Sequence, residues 1–323
     1  MPTPILVGSS TSGRSLVNSL NTTVAAFRDT MEAEPLMPSL SSRMPLNPGE
    51  GESKLITTFG KMTAHNITEG VDITKVEDLT DSRSTYSPSL VGVKVVVTEL
   101  SARRTADRTL PNRLGRLMGQ AVARKRDEDA FAQFSSFTTG LGAASAVLAM
   151  GHLNSGAARV EVGNSLNDPE PYGGNLVGVF HPCNLTALVG NLIPLSTGGN
   201  QPYQPDAGAG AQANVTGVTA GWQENVVRRG WAGVGKTLMG VSLYKAFNIT
   251  VDSSNDAIGA LYNPQGLIYV PEVEFQPLPA RERDVGIGGV GVILVIQGSY
   301  VWGLYRAAAT GVSMTFDATL PTS

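Results

Sequence analysis

The sequence predicts an α+β fold in which helix and strand are segregated along the chain rather than alternating. Three observations carry the prediction. One long amphipathic helix occupies the middle of the chain, at about residues 111–137. Valine-rich runs with a period of two flank it, at Ser89–Leu100 and again near the C-terminus. Between these, 37 glycines and 19 prolines break the remainder into short pieces. Charged residues are only 16% of the 323, against about 25% in an ordinary soluble domain. A turn-rich β domain accounts for that poverty of charge, and so does a subunit whose surface is buried against other chains.

Residues 1–14 are small and polar and are expected to order only against a partner. Leu16, Leu20, Val24, Phe27 and Met31 then recur every three or four positions, the spacing of a helical stripe, until Pro35 ends it. The Pro-, Ser- and Gly-rich stretch that follows reads as an extended linker, so an N-terminal arm and linker are assigned to residues 1–53. A strand-like run begins at Lys54 and closes at Glu69–Gly70, and the strongest strand, with five valines, is Ser89–Leu100. With the polar stretch Val71–Pro88 between them, residues 54–100 read as an extended β-hairpin with an elaborated tip. Such a hairpin is marginal by itself in water, so it must lie on something.

Pro111 suits the first turn of the long helix. Leu114, Leu117, Met118, Ala121 and Val122 form its apolar face, Phe131 and Phe134 continue it, and Gly140 and Gly142 stop it. At 1.5 Å per residue the rod is roughly 40 Å long. A shorter helix is expected at about Ala143–His152. Beyond residue 175 come a short buried strand (Asn175–Pro182), a helix opened by Pro182, and a Pro/Gly-rich loop at Pro194–Gly221. Further strand-like runs lead to a final pair of strands around a glycine turn. No tandem repeat is present.

Net charge is −3 with a pI near 5.7, and no Lys/Arg run exceeds the Ala-Arg-Lys-Arg at 123–126. Tight nucleic-acid binding needs clustered cations, so the chain is expected to sit beside nucleic acid without gripping it. The lone Cys183 excludes an intrachain disulfide. The N-terminal residues lack the pattern of a signal peptide, and no run of about 18 apolar residues suggests a membrane span. Five N-x-[ST] matches, at Asn21, Asn66, Asn184, Asn214 and Asn248, are attributed to the abundance of threonine.

Gly230–Thr237, GWAGVGKT, fits the P-loop pattern G-x-x-x-x-G-K-[ST]. A working P-loop needs a buried strand before it and a helix after it, whose N-terminus holds the phosphates. Upstream is the charged WQENVVRR; downstream, Thr237, Met239, Val241 and Leu243 alternate with the intervening residues in strand fashion. The nearest apolar run ending in an aspartate closes at Asp252, too near Lys236 for a βαβ crossover of about 30 residues. Gly230, Gly235, Lys236 and Thr237 are therefore read as a chance match: a glycine-rich turn entering a strand, with Lys236 solvated. His65, His152 and His181 are scattered without metal-ligand spacing. His181 and Cys183 are read as neighbours in a packed segment rather than as base and nucleophile, and Asp127, Glu128 and Asp129 point in different directions around the helix. No catalytic residue, metal or cofactor is expected.

The order of parts (arm helix, long hairpin, long helix, glycine-rich segment, return strands) resembles the major capsid protein of tailed double-stranded DNA bacteriophages, with the Hong Kong 97-type fold. The resemblance covers nearly the whole chain. ITEGVDITKVEDLTDSRSTYSPSLVGVKVVVTELSARRT is similar to the extended loop of that family, and LPNRLGRLMGQAVARKRDEDAFAQF to its spine helix. LVGVFHPCNLTALVGNL resembles the opening of the axial domain, LMGVSLYKAFNI a late strand of it, ALYNPQGLIYVPEVEFQ the axial helix region, and the segment from Arg281 onward the closing strands. The resemblance implies a peripheral domain at 101–174, an axial domain at 175–270, and strands returning to the peripheral domain at 271–323. It further implies self-assembly into hexamers and pentamers of an icosahedral shell around double-stranded DNA, in the virion, after assembly in the host cytoplasm. Portal, scaffolding and decoration or cement proteins are the implied partners, with no membrane. Some members crosslink through a loop lysine and an asparagine; Lys54, Lys61 and Lys75 lie in the hairpin region, but nothing identifies the asparagine or a catalytic acid, so no crosslink is expected. With about 50 residues before the hairpin, a separate scaffolding protein is expected. The alternatives are an encapsulin-type shell and, from a different class, a P-loop nucleotide hydrolase.

Overall fold

The structure is a computed structural model. It describes residues 35–60, 81–98, 110–163, 174–192, 236–238, 240–282 and 291–320, with isolated positions at 23, 25–27, 30, 62, 64–66, 69 and 78. These fall into two compact units, one built from 1–38, 42–125 and 268–306, the other from 39–41, 126–267 and 307–323.

In the first unit a four-stranded sheet has the order β1-β10-β11-β4, with β1 at Ser42–Arg43, β4 at Ser89–Thr98, β10 at Leu267–Glu282 and β11 at Gly291–Leu304. β4 runs antiparallel to β11 over its whole length, Ser89 opposite Tyr300 and Thr98 opposite Gly291. The expected linker is thus partly ordered as strand: β1 is parallel to β10, and the amides of Met44 and Leu46 continue the ladder onto Tyr269 and Pro271. Leu46, Ile268 and Val270 form an apolar cluster under this sheet, with Met44, Ile56, Tyr86, Val301 and Tyr305 against it. The Tyr269 ring packs at a tilt against Trp302, at 4.6 Å between ring centres, and against Tyr300 at 5.9 Å.

A separate two-stranded sheet pairs β2 (Lys54–Phe59) with β3 (Asp81–Tyr86), Lys54 opposite Tyr86 and Phe59 opposite Asp81. This corrects the expected hairpin of residues 54–100. Its return strand is the polar DSRSTY of β3, while the valine-rich β4 belongs to the large sheet. The valine-rich β4 has high strand propensity and pairs along its whole length with β11, half-burying Val91, Val93 and Val95 while Leu90 and Val96 stay exposed; β3 is exposed along nearly its whole length and carries no apolar period to announce it.

The second unit holds a six-stranded sheet, β5-β12-β9-β6-β8-β7, with β5 at Thr139–Gly142, β6 at Leu176–Phe180, β7 at Lys236–Leu238, β8 at Val241–Lys245, β9 at Asp256–Tyr262 and β12 at Gly311–Asp317. Helices α2 (Met150–Val162) and α3 (Pro182–Leu192) supply Leu153, Ala157, Val160, Leu185 and Leu188 to its core. Leu176, Phe180, Val241, Leu243, Leu261, Val312, Met314 and Phe316 come from the sheet. Close packing sets the glycines here: a Cβ on Gly178 would sit 2.6 Å from Leu243, and one on Gly259 2.7 Å from the Val179 carbonyl.

Helix α1 (Leu110–Ala132) is the long helix of the chain, about 34 Å by its length. A short 3-10 turn, Gln133–Ser136, replaces its expected last turn. Four expectations are corrected. The second helix starts at Met150, not near Ala143, because Ser145 at φ 60° turns the chain before it. The segment expected at the axial helix is strand, β9 and the start of β10 around a 3-10 turn at Pro264–Gly266. Of the return strands, β11 joins the first unit but β12 is central to the second, as is α2, so neither 101–174 nor 271–323 forms one domain. The expected glycine turn between the last strands is instead the segment after Leu304, where Arg306 takes φ 49°; Gly298 lies within β11.

Candidate assembly elements

The β2–β3 hairpin is tied to its own unit at both ends of its strands. Tyr86, the last residue of β3, donates its hydroxyl to the Leu304 carbonyl at 2.7 Å. Its ring lies on Gly303, where any Cβ would collide with it. Partial burial of the phenol pushes its pKa above the usual tyrosine value. The Arg306 guanidinium donates to the Phe59 carbonyl at the end of β2. At the entry, Glu50 accepts from Lys54 at 2.7 Å and from the Asn47 side chain at 2.9 Å. Those donors hold its carboxyl at a pKa of about 2, Lys54 contributing most. Further out, Thr58 and Ser82 bond across the strands at 2.5 Å. Leu55, Phe59 and Met62 are 52%, 54% and 61% exposed. Two large apolar groups on a two-stranded ribbon, with Met62 just beyond it, are costly to expose in water, and burial against another surface would recover that cost.

The arm also has a docking seat. Thr23, Ala25–Phe27 and Thr30 are helical, and Phe27 is fully buried. They press on α1 where it carries Gly115 and Gly119, one turn apart. A Cβ on Gly119 would lie 2.8 Å from the Thr30 Cβ and 3.0 Å from the Phe27 carbonyl, and one on Gly115 would strike the Thr23 carbonyl. Two glycines spaced by four let the backbones approach closely. Sequence reasoning found both helices but missed this contact, although the small-x-x-x-small signal was present in GRLMG.

Lys236 and Thr237 lie in β7, antiparallel to β8, with Lys236 opposite Leu243 and Leu238 opposite Val241. Gly240, at φ 81°, makes the turn between the two strands. A strand therefore follows the GK[ST] residues where a P-loop has a helix. Gly230 and Gly235 lie outside the described residues, as do residues 1–22 of the arm, most of the hairpin tip and the Pro/Gly-rich loop.

The histidines stay apart. His152 accepts the Ala149 amide at 3.2 Å through Nδ1 and packs on Phe316 at 4.8 Å. His181 accepts the Cys183 amide at 3.4 Å at the start of α3, and burial lowers its pKa. Both cap helices. Among the described residues no group of three His, Cys, Asp or Glu side chains is placed to hold a metal ion, and no described helix is long and apolar enough to cross a membrane.

No protein-family model matches the sequence, and neither does any curated protein. Solved structures do match the fold. The capsid of the cyanophage P-SCSP1u aligns over 87% of this chain and 87% of its own, at 14% identity and a TM-score of 0.57. Mycobacterium phage Che8 aligns over 87% and 90%, at 14% identity and 0.58. The head structure of Helicobacter pylori bacteriophage KHP40 aligns over 86% and 88%, at 10% identity and 0.60. With matches extending over both units, the chain has the Hong Kong 97-type fold of phage capsid subunits.

Proposed function

We propose that the chain is the major capsid protein of a tailed double-stranded DNA phage, a structural protein that assembles with copies of itself into hexamers and pentamers of an icosahedral shell. The observation that carries this is the agreement of fold along 86% or more of the chain with phage capsid structures. The hairpin supports it independently: anchored by Tyr86 and Arg306, it leaves Leu55 and Phe59 exposed, with Met62 exposed just beyond β2. In a shell they lie on a neighbour. Contacts of one patch on a different patch of the next copy propagate into rings and closed shells. The second unit, with its glycine-rich neighbouring sequence, surrounds the capsomer axis, and the hairpin and arm tie capsomers together.

In this reading the chain is not an enzyme. Its partners are a portal, a scaffolding protein and decoration or cement proteins, and assembly takes place in the host cytoplasm. Electron microscopy of the untagged, overexpressed chain tests the proposal. Closed shells, tubes or ringed capsomers are expected. A chain that stays dispersed even when co-expressed with its phage's scaffolding protein overturns it, and shells filled with one protein cargo rather than DNA point to an encapsulin-type compartment.

A further inference from the structure

Helix α3 begins on an imidazole. Its first backbone bond runs from the Leu185 amide to the His181 carbonyl at 3.3 Å, which makes His181 the capping residue. Pro182, the first residue of the helix, has no N–H to satisfy. Cys183 therefore supplies the first amide that needs an acceptor, and the His181 Nδ1 accepts it at 3.4 Å. The other side chains of the first turn do not take this role. The turn has no acidic residue, Thr186 gives its hydroxyl to the Pro182 carbonyl at 3.0 Å, and both amide atoms of the buried Asn184 are without a partner.

Such a cap exists in one protonation state only. A neutral imidazole can offer a lone pair at Nδ1; an imidazolium carries a proton on both nitrogens and accepts nothing. It also sets a positive charge at the positive end of the helix dipole. Protonation thus turns an attraction into a repulsion. His181 is half-buried, and burial pushes its pKa below the ordinary histidine value.

The charged groups around it do not offset this. β6 and α3 carry no charged residue. β8, beside β6, ends at Lys245 opposite Phe180, a like charge. The carboxylates described at this end of the sheet are engaged with backbone amides: Asp252 with those of Ser254 and Asp256, Asp256 with that of Ser145, and Asp317 with that of Thr319. On α2, Arg159 and Glu161 are exposed, and His152 accepts the Ala149 amide. The helix at stake is not peripheral, since Leu185 and Leu188 lie in the core with Phe180, Leu243 and Phe316.

We infer that α3 is held by an acid-labile cap: protonation of His181 releases the Cys183 amide, frays the first turn and loosens the core of the second unit. A histidine whose folded pKa is lowered contributes its stability in full above its ordinary pKa of about 6.5 and loses it as pH falls toward the folded value. The device therefore acts on the acid side of pH 6.5, where ordinary carboxylates are still ionised. It lies within one subunit and does not rest on the shell reading; in an assembly of identical copies it would act on every second unit at once.

The test is amide hydrogen exchange of the full chain, read on peptides covering residues 181–192 at pH 7.5 and 5.5 and corrected for the intrinsic rate at each pH. His181→Asn keeps a capping acceptor that does not titrate, and His181→Ala has none. In the wild type the opening equilibrium of this segment should rise about five-fold between the two pH values, the usual worth of one cap. The Asn variant should stay near the neutral wild-type level at both, and the Ala variant should sit at the raised level at both. If the Ala variant does not fold, the wild type and the Asn variant decide by themselves. Wild-type protection that is the same at both pH values overturns the inference. So does an Asn variant that loses as much protection as the wild type, which would assign the effect to other groups. Micrographs of each sample, compared at equal assembly state, keep this result separate from the shell reading.

Discussion

Tyr262 places a hydroxyl in the core of the second unit where no described protein group meets it. The ring is fully buried between Phe134 and Phe137, at 5.8 and 6.1 Å, and burial drives the phenol pKa far above its usual value. A buried hydroxyl without a partner costs about 1–3 kcal/mol, so Tyr262→Phe should leave the chain equally stable or raise its stability by about 1 kcal/mol in denaturant titrations. A loss larger than that would show that the hydroxyl is bonded. Asn184, also fully buried with both amide atoms unpartnered, should respond to Asn184→Leu in the same direction. Glu50 is the opposite case, an exposed group whose partners hold its pKa at about 2. A depressed carboxyl favours the fold above its ordinary pKa and loses that contribution as pH falls through the depressed one. The Glu50 turn should therefore keep its bonds at pH 4 and open only near pH 2. The carboxyl resonance of Glu50 reports this directly, and Lys54→Ala should move its titration upward. The sequence did not disclose these partners: Glu50 and Lys54 are four apart in a stretch read as linker, and the two rings against Tyr262 come from Phe134 and Phe137, more than a hundred positions away.

Elements were legible in proportion to how strongly one period governed them. α1 and the valine-rich β4 lie close to their expected positions, although Leu117 and Ala121, expected on the apolar face of α1, are exposed while Met118 and Val122 are buried. β3 was not legible because DSRSTY has no buried side to write a period; its strand character comes from Tyr86 anchoring one end and β2 pairing along it. The end of β9 and the start of β10 were misassigned by analogy with an axial helix, although the β10 residues LIYVPEVEF have strand character. The two anchoring contacts predict behaviour at this scale. Gly119→Leu places a branched side chain where even a Cβ is 2.8 Å from Thr30, so the arm must leave α1. Limited proteolysis should then cleave the N-terminal 30 residues at least ten-fold faster while the rest of the chain resists. Tyr86→Ala removes both the ring on Gly303 and the bond to Leu304, and should similarly free the hairpin, with new cleavage between residues 60 and 80. Unchanged cleavage in either variant would mean that the elements are held by something other than these contacts.

For the whole molecule the arm offers the sharpest separation between folding and assembly. Among the described residues, those of the arm helix are absent from the apolar core of the second unit, which is built from α2, α3 and the six-stranded sheet. In the first unit its contribution is local, Thr23, Phe27 and Thr30 against Gly115 and Gly119. Deleting residues 1–30 should therefore remove a contact on α1 yet leave the cooperative melt of the second unit and most of the far-UV circular dichroism in place. If the arm also ties one subunit to the next, as the shell reading requires, the same deletion should reduce closed particles to open sheets, tubes or free capsomers, or leave shells that break at lower denaturant concentration. Native gels and micrographs of the deletion beside the full chain measure this. Particles of normal number, size and robustness would show that the arm serves only its own subunit, and the load between capsomers would then fall to the hairpin, with its exposed Leu55, Phe59 and Met62. That outcome has its own check, since Leu55→Ser/Phe59→Ser on the arm-deleted chain should then abolish shells that either change alone permits.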